Sequence, residues 1–158
     1  MIGKILVALD SSSRAEEVFD AAVELAERFG ARVCVFRAVD VPPEFPASAA
    51  GSTRDLLPEH LASLARAEMN AITARAPGLQ VDMRIDASSE PGRAILSAGD
   101  DLDVDLIVIG SHGYGGLDRF LGTTAAKVVN LARRSVLVVH EKAAEAPTKR
   151  PSRSLRLV

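Results

Sequence analysis

Gly110, Gly113, Gly115 and Gly116, followed by Gly122-Thr123-Thr124, fall within one stretch, DLIVIGSHGYGGLDRFLGTTAAK, from Asp105 to Lys127. Glycines let a backbone approach a ligand closely and adopt positive φ. Amides at a helix start carry partial positive charge, and the threonine hydroxyls beside them add further donors. Such a strand, glycine-rich loop and helix start suit an anionic phosphate chain, so a nucleotide is the leading ligand. The competing reading is a structural loop whose glycines only make turns and whose threonine only caps a helix. Neither GxxxxGK[ST] nor GxGxxG is present. Lys127 and Arg119 read either as phosphate partners or as solvated surface charges.

Catalysis would need a base or nucleophile beside a positioned partner. His112, inside the loop, is the best candidate, yet its side chain reads better as packing or bonding locally. His60 and His140 are isolated, and no His/Cys/Asp/Glu cluster has metal-ligand spacing. Asp10 could assist a Mg²⁺ accompanying a nucleotide, on the evidence of one carboxylate only. Asp101, Asp103 and Asp105 read as an acidic turn, since the rest of a calcium loop is missing. The chain is expected not to be an enzyme.

The elements that must position the loop follow from apolar periodicity. KILVALD (4–10) reads as the first strand, with Ser11–Ser13 capping a helix whose face is Val18, Ala22, Leu25 and Phe29, ended by Gly30. RVCVFRAV (32–39) is the second strand. A Pro/Ser/Ala/Gly-rich surface loop, about 41–55, precedes a helix marked by Leu57, Leu61, Leu64 and Ile72. LQVDMRID (79–86) alternates like a half-exposed strand near a sheet edge. A short helix after Glu90-Pro91 turns Ile95, Ala98 and Leu102 inward. DLIVIG (105–110) is a fully apolar, central strand. A last helix buries Leu121, Ala125, Val128 and Ala132, and SVLVVH (135–140) closes the sheet.

Five strands alternating with four helices predict an α/β fold: an open five-stranded parallel sheet, order 3-2-1-4-5, with helices on both faces. Ligands in such sheets bind beyond the carboxyl ends of the strands, where the order reverses. That brings Asp10 and Gly110, a hundred residues apart in sequence, to one crevice. An apolar last strand at the edge invites pairing with a second chain. The opposing reading has the helices and the tail cover it.

At 158 residues the chain suits one domain, 1–141, with 142–158 expected to be a disordered basic tail. No apolar run approaches the roughly 20 residues of a membrane span, and the N-terminus lacks a signal-peptide layout. Cys34 is the only cysteine, which excludes an internal disulfide, suggests a reducing interior and reads as a small buried hydrophobe. Of 19 Lys and Arg, five lie in 141–158 beside two of the 21 acids, leaving an acidic body of 14 bases and 19 acids. With one Tyr and no Trp for stacking, this balance argues against nucleic acid as a partner.

Over about residues 3–140 the chain resembles the universal stress protein family. ILVALDSS stands where that family commonly has ILVAVDGS, and GSHGYGGLDRFLGTTAAKVVNLARRSVLVV resembles its signature nearly throughout. The nucleotide-binding branch carries G-x2-G-x9-G-[ST]. Gly110, Gly113, Gly122 and Thr123 fit it, except that eight residues separate Gly113 from Gly122. The resemblance implies a Rossmann-like, adenine nucleotide alpha hydrolase-like fold that binds ATP, alone or with Mg²⁺. Asp10, with Ala8 and Leu9, would line the nucleoside end, and Ala38 would offer its backbone to adenine. Ile109 and Gly110 would flank the nucleotide, while Gly113, Gly122, Thr123 and Thr124 would meet the phosphates. The resemblance also implies a cytoplasmic homodimer joined through Ser135–His140, acting in stress response or regulation with at most slow ATP hydrolysis. The alternative is a dimeric adaptor of the same fold that binds no nucleotide, as in the family's other branch.

Overall fold

Two apolar clusters lie on opposite faces of one sheet, and strand alternation sorts them. The computed structural model describes residues 1–40, 59–111 and 121–140. Its elements are β1 (Lys4–Ala8), α1 (Ala15–Phe29), β2 (Arg32–Val39), α2 (Glu59–Thr73), β3 (Val81–Ala87), α3 (Pro91–Asp101), β4 (Leu106–Gly110), α4 (Thr123–Leu131) and β5 (Ser135–Val139). The strands form a parallel sheet in the order β3-β2-β1-β4-β5, as the alternation of elements predicts.

Ile5, Val7, Val33, Val35 and Val108 join Val18, Phe19 and Ala22 of α1 and Met69 of α2 on one face. Leu6, Cys34, Phe36, Ile107 and Ile109 join Ile95 and Ala98 of α3 and Ala125 and Val128 of α4 on the other. Because β1 and β4 are covered on both faces, their runs are continuously apolar rather than alternating. Each fully buried Ile, Leu or Phe contributes about 1.5–3 kcal/mol by leaving water. Cys34 is one of these buried side chains.

In each of two helices one residue expected to face inward is exposed. Phe29 is 50% exposed, and Ala26 closes the buried face of α1 instead. Phe29 is the last helical residue, three positions before Arg32 starts β2, so it stands at the end of the sheet rather than over it. In α2, Leu64 is exposed while Ala65 and Met69 are buried; small Ala65 lets the helix lie close to the sheet. Leu57 lies outside the described residues, as do the 41–55 stretch and the 142–158 tail. Gly30 ends α1 with φ of 65°, a left-handed cap whose amide donates to Ala26.

Charges brace the frame. Asp105 accepts the amides of Gly3 at 2.8 Å and Lys4 at 3.0 Å, tying the start of β1 to the start of β4. Asp101 pairs with Arg84 at 2.9 Å, and Asp103, with φ of 49°, pairs with Arg134 at 2.9 Å. The acidic turn thus sends its three carboxylates to three different places. Arg37 is buried on the α1–α2 face, bonded to Glu68 of α2 at 2.5 Å and to the Ser11 hydroxyl.

Candidate functional site

Ala8 and Ile109 are register partners at the carboxyl ends of β1 and β4. There β2 lies to one side of β1 and β4 to the other, so the chain leaves the two strands toward opposite faces. A crevice at this point follows from topology alone. A cavity of about 470 Å³ opens there, within the size range of small-molecule sites.

Nine of the ten residues singled out from the sequence line it. Ala8, Leu9 and Asp10 come from the end of β1, Ala38 from β2, Ile109 and Gly110 from β4, and Gly122, Thr123 and Thr124 from the start of α4. The tenth, Gly113, lies outside the described residues, as do His112, Gly115, Gly116 and Arg119. Phe36, Pro91 and Ile95 add apolar wall, and Ser12, Arg14 and Ser111 add polar wall.

Asp10 is exposed and organises the turn after β1. Its Oδ1 accepts the Ser12 amide at 3.0 Å and the Ser12 hydroxyl at 2.5 Å. Both bonds fall on Oδ1. The serines do not cap α1 by side chain as expected: Arg14 holds the N-cap position, with no side-chain cap bond. Ser12 is drawn to Asp10 instead, and its carbonyl accepts the Ala15 amide at 3.2 Å. Its hydroxyl oxygen also accepts the Arg14 amide at 3.4 Å, so the serine bridges the carboxylate and the residue at the helix start.

On the α4 side of the cavity, the first bond of the α4 ladder runs from Ala126 to Gly122 at 2.8 Å. The amides of Thr123, Thr124 and Ala125 therefore precede the ladder at the positive end of the helix dipole. All three residues line the cavity. This arrangement can hold an anionic group by backbone donors, with the two threonine hydroxyls beside them.

Lys127 is not part of the wall. Its ammonium donates to Glu90 at 3.1 Å, and that bond holds the Glu90 carboxyl below its usual range. His60 and His140 are exposed and line no part of the cavity. Among the described residues, no three His, Cys, Asp or Glu side chains are grouped to hold a metal ion.

The sequence reading missed several wall residues. Phe36 was findable: it lies two residues before Ala38 on β2 and so shares its face. Arg14 gave a weaker signal, as a cation directly after three serines. Nothing local connects Pro91, at the start of α3, with a pocket at the end of β4.

The universal stress protein family model matches residues 1–140. Universal stress protein Sll1388 of Synechocystis is 34% identical over 149 residues, covering 87% of this chain and 97% of the relative. Two solved structures share the fold. A universal stress protein in complex with cAMP covers 88% of this chain and 97% of its own, at 21% identity and a TM-score of 0.66. The universal stress protein of Archaeoglobus fulgidus in complex with dAMP covers 87% of this chain and 98% of its own, at 24% identity and a TM-score of 0.64. No described helix is long and apolar enough to cross a membrane.

Proposed function

The chain belongs to the universal stress protein family, and from that premise we propose that it binds an adenine nucleotide, ATP in the first place, and passes the bound state to a partner. The observation that carries this reading is convergence. Three strand ends and the start of α4, spread from Ala8 to Thr124, line one cavity of about 470 Å³ with both polar and apolar residues. Adenine nucleotides bound to two proteins of the same fold support the ligand class.

In this reading the base lies against Phe36, Ala38 and Ile95. Asp10 accepts from the ribose hydroxyls through Oδ2, or orders water around a Mg²⁺ that travels with the nucleotide. The amides of Thr123, Thr124 and Ala125, with the threonine hydroxyls, hold phosphate oxygens. Such groups recognise and orient; the Ser12 hydroxyl is committed to the Asp10 turn. The protein acts as a binder rather than a catalyst, with hydrolysis at most slow. It works in the cytoplasm as a homodimer paired through the edge strand β5.

One observation favours the second reading, a dimeric adaptor without nucleotide: the spacing of eight residues between Gly113 and Gly122, one short of the binding branch. One experiment separates them. Nucleotide released from the purified protein is identified by chromatography and mass spectrometry, and ATP, ADP and AMP are titrated by thermal shift. Co-purified ATP, or a saturable rise in melting temperature, is the expected result. No nucleotide and no shift would leave the adaptor.

A further inference from the structure

Among the described residues, two charged side chains line the cavity, and both sit on the turn between β1 and α1: Asp10 and Arg14. Ser12 joins them, donating its hydroxyl to Asp10 at 2.5 Å and accepting the Arg14 amide at 3.4 Å. We propose that Arg14 reads the phosphate of the bound ligand, so that the protein discriminates nucleotides from uncharged nucleosides through this residue. The proposal rests on the nucleotide reading above and adds to it a specificity determinant outside the glycine loop.

Three features support it. Arg14 occupies the N-cap position of α1, where the helix dipole disfavours a cation and favours an anion. Glu16 and Glu17 in the first turn offset part of that cost, but Glu16 pairs with Arg75 at 3.0 Å. An anionic group in the cavity would meet the guanidinium and the dipole together. Second, Arg14 is half-buried rather than fully exposed, so salt screens its attraction less than that of a surface charge. Third, a guanidinium matches two phosphate oxygens at once. Arg14 has a further interaction within the chain; five N–H donors suffice to keep it and still reach a ligand. The buried Arg37 is engaged with Glu68 and Ser11 and does not line the cavity.

The test is calorimetric titration of wild type, Arg14→Gln and Arg14→Lys with adenosine, AMP and ATP at one fixed salt concentration. Loss of a charged hydrogen-bonding pair should weaken AMP and ATP on the order of 10- to 100-fold in Arg14→Gln, with adenosine changed less than about twofold and part of the loss restored in Arg14→Lys. Equal loss for adenosine and ATP would assign Arg14 to the turn's structure and overturn the proposal. Unchanged ATP affinity in Arg14→Gln would overturn it as well. A wild-type protein that binds none of the three would overturn the nucleotide reading itself, and this proposal with it.

Discussion

The Gly122 amide donates to the Ser111 carbonyl at 2.7 Å, joining the residue after β4 to the residue before α4. Ser111 is held in turn by its own amide, which donates to Val139 of β5 at 2.8 Å. The loop that is one residue short is therefore closed at its base by backbone bonds, and those bonds fix where Thr123 and Thr124 stand relative to β4.

Gly122 itself has φ of −59° and ψ of 155°, values open to any residue. Gly122→Val thus adds bulk to the cavity wall without backbone strain. Nucleotide affinity should fall about tenfold or more, equal to about 1.4 kcal/mol, while fold stability changes by about 0.5 kcal/mol or less. Titration calorimetry and urea melts on the same samples measure both. Equal affinity in the two proteins would remove Gly122 from the phosphate end of the site.

On the nucleotide reading Asp10 has two separable roles: Oδ1 builds the turn, and Oδ2 would accept from the nucleotide. Asp10→Asn keeps an acceptor for Ser12 and removes the charge; Asp10→Ala removes both. Both variants should weaken nucleotide binding, with Asp10→Ala weaker by a further factor of about five or more because the turn loses its hydrogen bonds. Neither should change the molecular mass seen by sedimentation. A dissociated Asp10→Ala would make Asp10 part of the assembly rather than the pocket.

Much of this was legible in sequence because strands buried on both faces write themselves as unbroken apolar runs. LIVI marked β4 as central, and the order 3-2-1-4-5 then set the crevice between Asp10 and Gly110. Helix faces were less legible. Phe29 and Leu64 lie at the right helical spacing, but spacing does not say where the sheet ends or how closely a helix approaches it. Buried charges were not legible at all. Arg37 is buried beside Glu68, 31 residues away, and Asp86 beside Arg84 on a strand that reads as half-exposed. Only tertiary pairing makes such burial tolerable, and no local pattern announces it.

The edge of the sheet carries the next prediction. Among the described residues β5 pairs with β4 alone, and Leu137 on it is 37% exposed, with Val129 and Leu131 of α4 exposed nearby in sequence. A homodimer paired through β5 would cover Leu137. Leu137→Asp should convert a dimer to a monomer in sedimentation equilibrium while leaving the nucleotide thermal shift in place, since Leu137 lines no part of the cavity. A monomeric wild type would end the dimer proposal. A dimeric variant would move the interface elsewhere.

Asp105 gives the pH dependence. The amides of Gly3 and Lys4 hydrogen-bond its carboxylate and hold it below the ordinary aspartate value of 3.8. A carboxyl depressed in the folded state stabilises the fold fully above its unfolded value, and that stabilisation is lost as pH falls through the lower folded value. Both amides bond to Oδ2, so Asp105→Asn preserves an acceptor and removes only the charge. The wild type should be more stable than Asp105→Asn at neutral pH, and the gap should close below 3.8 as the aspartate protonates. Urea melts of both proteins from neutral pH to about pH 2.5 measure the difference, in which titrations common to both cancel. A gap that persists unchanged in acid would mean that the tie between β1 and β4 does not depend on charge, and that packing at the start of the two strands holds them together.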